Sequence, residues 1–127
     1  MWGLVGLLAL CGAARLHAHH SFAMFDTTKP VTLTGKVTQF QWTNPHAYIE
    51  IDVPDGSNPP KHWTVELGST SILMQGGWKF NDVKPEQTIT VVISPLRTGQ
   101  PAGLLVRITL ADGRVLSNGP GPAGGQR

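Results

Sequence analysis

Histidine offers the chain its clearest chemistry. There are five histidines, and two of them, His19 and His20, are adjacent. Cleavage after Ala18 would leave His19 with a free α-amino group. Such an amine titrates near ~7.7–8.0, so a useful fraction is a neutral ligand at neutral pH. The amine nitrogen and the His19 imidazole can close a chelate ring on one metal ion. A third nitrogen from another histidine would complete a T-shaped set. Planar nitrogen donors suit Cu(II), which also heads the divalent affinity series, so copper is the first metal to consider. The plainer reading of an adjacent histidine pair at a terminus is a solvated one.

The candidates for the remaining nitrogen are His46 and His62. Both lie on a strand pair, His46–Val53 and a second strand around Trp63–Leu67. Pairing Val53 with Lys61 sets Asp52 opposite His62 and His46 near Gly68. The two rings then sit at opposite ends of a hairpin, roughly 20 Å apart at ~3.3 Å per residue. At most one of them joins the N-terminal pair. His46 is favoured, because it follows Trp42, Asn44 and Pro45 in a tight turn, whereas His62 follows a Pro-rich loop and reads as solvated. A turn histidine bonding a backbone carbonyl is the alternative for His46. Residues 19–30 span up to ~40 Å when extended, so reach alone does not choose. Met24 and Met74 are soft thioether donors for Cu(I). Met74, between Leu73 and the helix end, reads as core, and so does Trp63 beside Val65 and Leu67.

Exposing that amine requires export. Trp2–Leu10 is an almost unbroken apolar run followed by Gly12, Ala13 and Ala14, the length of a signal-peptide core rather than a membrane span. Residues 1–18 therefore read as a signal peptide, with cleavage after Ala18, or after Ala14 with Gly12 at the −3 position. The expected location is periplasmic or secreted, with no stable membrane anchor after cleavage. The single cysteine, Cys11, lies in this leader. Leu10 before it is too bulky for lipoprotein processing. The mature chain then has no thiol, which excludes cysteine-based zinc sites.

The formal charge is +2, and removing Arg15 with the leader leaves nine basic against eight acidic residues. No basic cluster is present, so a nucleic-acid partner is not expected. For hydrolysis, Glu50 and Glu66 on neighbouring strands could meet diagonally. Exposed sheet carboxylates usually only solvate a surface, and no nucleophile–base pair, phosphate loop or zinc-protease motif accompanies them.

The elements that would carry these residues are mostly strands. Val31–Trp42 alternates, with Val31, Leu33 and Val37 on one face; Gly35 interrupts that face, which predicts close backbone approach. The apolar phase then slips to Phe40 and Trp42, which predicts a bulge. A hairpin with an Asp55-Gly56 turn follows. Ser69 or Thr70 caps a short helix that ends at Gly76-Gly77, after which Trp78 and Phe80 pack back. Thr88–Ser94 and Leu104–Leu110 form two more strands, with Leu104, Val106, Ile108 and Leu110 inward. The expected fold is all-β with one short helix: a five-stranded OB-fold-like barrel over residues 19–116, with the helix between strands 3 and 4. A small immunoglobulin-like sandwich would want about seven strands. Residues 117–127 read as a disordered Gly/Pro-rich tail.

The run Ala18-His19-His20-Ser21-Phe22-Ala23-Met24-Phe25-Asp26, with Leu33-Thr34-Gly35-Lys36-Val37, Trp42-Thr43-Asn44-Pro45-His46-Ala47 and Gly76-Gly77-Trp78, resembles a family of small exported bacterial proteins catalogued only as a domain of unknown function. Pro95-Leu96-Arg97 and Asp112-Gly113-Arg114 also fit, so the resemblance covers nearly all of residues 18–116. It implies a histidine pair directly after the leader, and it marks His19, His20 and His46 as motif positions. It carries no established activity. The expectation is an exported, non-catalytic binding module, with a transition metal, copper first, held by His19, His20 and His46. The rivals are an envelope module that binds protein or glycan without metal, and a hydrolase using Glu50 and Glu66.

Overall fold

The structure is a computed structural model that describes residues 22–120. Six strands and one helix follow a 3-10 turn at Phe22–Met24: β1 (Val31–Gln41), β2 (Tyr48–Asp55), β3 (Asn58–Glu66), α1 (Thr70–Gln75), β4 (Thr88–Pro95), β5 (Ala102–Thr109) and β6 (Val115–Ser117). They form one sheet in the order β3-β2-β1-β4-β5-β6, in which the neighbours are antiparallel. A short parallel ladder, Thr64–Glu66 against Ala102–Leu104, also joins β3 to β5. The pairings therefore return on themselves through β1, β2, β3, β5 and β4.

The Val- and Thr-rich alternation makes β1 a strand, and its slip in phase is real. Val37 pairs with Ile51 and Gln39 with Glu50, so Thr38 is the extra residue of a bulge. Beyond it Phe40 turns toward Trp78, at 6.3 Å between ring centroids, and meets Trp42 edge-on at 5.7 Å. Gly35 has the predicted tight setting, since a Cβ there would lie 2.6 Å from the Asp52 carbonyl oxygen. The hairpin has the expected register, with Val53 opposite Lys61 and Asp52 opposite His62. Ile49, Ile51, Val65, Leu67, Ile89, Val91, Ile93 and Ile108 fill the interior. Each such side chain contributes about 1.5–3 kcal/mol by leaving water.

Several sequence readings are corrected. In β5 the buried residues are Gly103, Leu105 and Ile108, with Leu110 buried just beyond the strand's end, while Val106 is exposed. Ile93 pairs with Leu105 and Val92 with Arg107, so Val106 is a second bulge and shifts the alternation by one. α1 has six residues, capped by the Ser69 hydroxyl accepting from the Ile72 N–H, and of its apolar side chains only Leu73 is buried. Met74 is 56% exposed rather than core, and Phe80 is 70% exposed rather than packed back. Trp63 is half-buried, with the Lys61 ammonium 5.5 Å from its ring centre. Ser117, read with the tail, ends a sixth strand; its carbonyl accepts from the Trp78 indole at 2.9 Å.

Candidate functional site

His46 follows the Asn44–Pro45 peptide, which is cis. Side-chain bonds hold this corner. The Thr43 hydroxyl donates to the His46 carbonyl at 2.8 Å, and Asn44 Oδ1 accepts from the Thr70 N–H and hydroxyl at 3.0 and 3.1 Å. The Ala47 N–H then donates to Gly68 O, and the Leu67 N–H donates to Ala47 O. With its backbone fixed on both sides, the His46 ring reaches the end of β3. Its Nδ1 lies 3.0 Å from Leu67 O and 3.4 Å from Glu66 Oε1. A carbonyl oxygen only accepts, so in the neutral ring Nδ1 carries the proton and Nε2 the lone pair. That is the tautomer in which an imidazole ligates a metal through Nε2.

His46 and Glu66 form the polar side of a cavity of about 270 Å³, closed by Phe25, Ile72, Leu104 and Asn118 among others. Asn118 is held by the Gly68 N–H, which donates to its Oδ1 at 2.7 Å. Phe25 belongs to the segment that leads in from His19 and His20. It is 4% exposed and bridges to Leu96. Around it the Asp26 N–H donates to Pro95 O, the Arg97 N–H to Met24 O, and Arg97 Nε to Ala23 O, at 2.8–3.0 Å. His19 and His20 themselves lie outside the described residues. Among the described residues, no group of three or more His, Cys, Asp or Glu is arranged to hold a metal ion.

The other described histidine is not a solvated loop residue. His62 Nδ1 is 2.8 Å from Asp52 Oδ1, and its Nε2 is 2.9 Å from Glu50 Oε2. The Thr64 hydroxyl also donates to Glu50 Oε2, at 2.8 Å. The Asp52 hydrogen bond raises the His62 pKa above its ordinary value; burial opposes this, and Glu50 adds to it. Glu50 and Glu66 occupy diagonal positions, since Glu50 pairs with Thr64 and Glu66 with Tyr48. Their carboxylates engage different histidines. Tyr48, beside Glu66, has its phenol pKa pushed up by burial and by that carboxylate. Met24 is 40% exposed. A second cavity, of about 340 Å³, opens between Gly35, Lys36, Asp52, Pro54 and Pro60. Among the described residues, no helix is long and apolar enough to cross a membrane.

Phe25 and Asn118 carry no periodic signal, so their part in the His46 cavity was not legible in the sequence. The His62 cluster was partly legible: the register set Asp52 opposite His62, and Glu50 is two residues from Asp52 on the same face.

Fold and site together define a small, mostly β protein with one short helix and a half-buried histidine in a cavity lined from near both ends of the described residues. The profile of the Family of unknown function (DUF6152) matches residues 7–107, and the chain belongs to that family. The match includes His19, His20 and His46 and stops before β6. No curated protein and no solved structure matches the chain.

Proposed function

We propose that this chain is an exported, non-catalytic binding module, periplasmic or secreted, that holds a transition-metal ion, copper first. The ligands are the His19 amine and imidazole, His20 and His46. The scaffold is an OB-like barrel, a reading supported by the closed circuit of strand pairings and by a helix between β3 and β4. One observation carries the site. Phe25, anchored and buried, is a wall of the cavity that His46 lines. His19 lies six positions before Phe25, a reach of at most about 20 Å, and this short tether supports a reading in which the histidine pair shares an ion with His46. The Nδ1–H bond to Leu67 O supports the same reading, because it leaves the donor lone pair on Nε2.

The test starts with mass spectrometry of the exported protein, which should begin at His19. Copper titration of that protein should give one tight site. Acetylating the α-amine and changing His46→Ala should each weaken it about tenfold or more. His62→Ala should leave it unchanged. Equal affinity before and after amine blocking rejects the chelate.

A further inference from the structure

Two carboxylates of the β2–β3 hairpin are equally withdrawn from water and unequally served. The Glu50 and Glu66 side chains are each 15% exposed. A carboxylate taken this far out of water needs donors facing it. Glu50 Oε2 has two, His62 Nε2 at 2.9 Å and the Thr64 hydroxyl at 2.8 Å. Among the described residues, the one ion-pair contact of Glu66 is His46 Nδ1 at 3.4 Å, and that N–H is directed to Leu67 O at 3.0 Å. A charge-assisted bond to a carboxylate is shorter, about 2.7–2.9 Å. The difference coincides with a cavity. Glu50 lines neither of the two cavities described above, whereas Glu66 lines the one of about 270 Å³. The apolar walls of that cavity are Phe25, Leu67, Ile72, Leu104 and Pro120. Glu66 cannot easily turn away from it, because its backbone is fixed in both the β2 ladder and the parallel β5 ladder.

We propose that this cavity binds a small organic cation: a primary ammonium that donates to Glu66, carried on an apolar body seated against Phe25, Ile72 and Leu104. An ammonium brings three donors and a positive charge, which is what Glu66 lacks. A neutral ligand would leave the carboxylate's charge unmatched, and an anion would repel it. The volume suits a molecule of one ring or a short chain. A bare metal ion is a poorer occupant at Glu66. It wants several ligating groups, and no set of three is gathered among the described residues. The amine site uses neither His19 nor His20 and needs no copper, so it stands or falls separately from the metal reading.

The experiment uses the exported full chain with a metal chelator present, and phenethylammonium as the probe, followed by protein NMR. Saturable shifts should appear at Phe25, Ile72 and Leu104. Wild type should bind the ammonium about tenfold or more tightly than its neutral counterpart, 2-phenylethanol, and should not bind phenylacetate. Glu66→Gln should erase that preference, and Glu50→Gln should keep it. Binding weaker than about 10 mM, which contact alone gives a molecule of this size, overturns the proposal. So does equal affinity of wild type for the ammonium and the alcohol, a result that needs no variant to fold. A preference that survives Glu66→Gln or is lost in Glu50→Gln also overturns it, as do shifts centred on the cavity between Gly35, Pro54 and Pro60. Tighter binding of Nα-acetyl-lysine amide than of phenethylammonium would assign the head group to a lysine of a partner protein and overturn the free-ligand assignment.

Discussion

His62 shows what one ring can do between two carboxylates. With Asp52 on Nδ1 and Glu50 on Nε2, both nitrogens are served best when both carry protons, which is why its pKa is raised. The sign of the linkage follows. The charged ring stabilises the fold fully below the unfolded-state value of about 6.5, and that contribution is lost as pH rises through the raised folded value. The side chain is 54% exposed, so solvent screening keeps the contribution to about 1 kcal/mol or less. Urea denaturation of wild type against His62→Gln should show the largest gap at about pH 5.5 to 6.5, still above the carboxylate range. The gap should close at alkaline pH. A constant gap would mean that the ring acts by packing rather than by charge.

At the scale of elements, the sequence is read best where a single strand obeys or breaks its own period. Leu33, Gly35 and Val37, followed by Phe40 and Trp42, announce the β1 bulge because the slip occurs among large apolar residues. The β5 bulge was invisible. Leu104, Leu105, Val106 and Ile108 are all apolar, so two phases fit equally well, and only pairing with Ile93 and Val92 selects one. β6 is not legible in the sequence, because Val115–Ser117 is three residues long and its reason to be a strand lies in Arg107–Thr109 and Trp78. His46 was placed by its turn and the hairpin register, both local facts. Its cavity was not, because Phe25 and Asn118 reach it from distant parts of the chain. The glycine that lets β1 and β2 close up gives the element-level test. Gly35→Ala drives a methyl into the Asp52 carbonyl, and it should cost about 1–3 kcal/mol in urea denaturation. A neutral result would mean that the two strands part without penalty.

For the whole molecule, the decisive contact is the parallel ladder between β3 and β5. It joins segments far apart in sequence and turns an open row of strands into a circuit. Gly103 sits in that ladder, opposite Val65, where a Cβ would lie 2.7 Å from both Ile93 Cδ1 and Ser94 O. Gly103→Val should therefore loosen the closure. Amide hydrogen exchange should quicken at residues 64–66 and 102–104, while the β1–β2 amides stay slow. Uniform quickening would mean that the circuit opens only when the whole molecule unfolds.

The convergence of Phe25 and Asn118 on one cavity bears on how recombinant protein is prepared. A polyhistidine purification tag joined a few residues from either of these segments would be tethered within a short linker of His46, at an effective concentration in the millimolar range. It would compete for added copper and counterfeit a site. Metal titrations on this chain call for a tag that carries no imidazole, or for its complete removal.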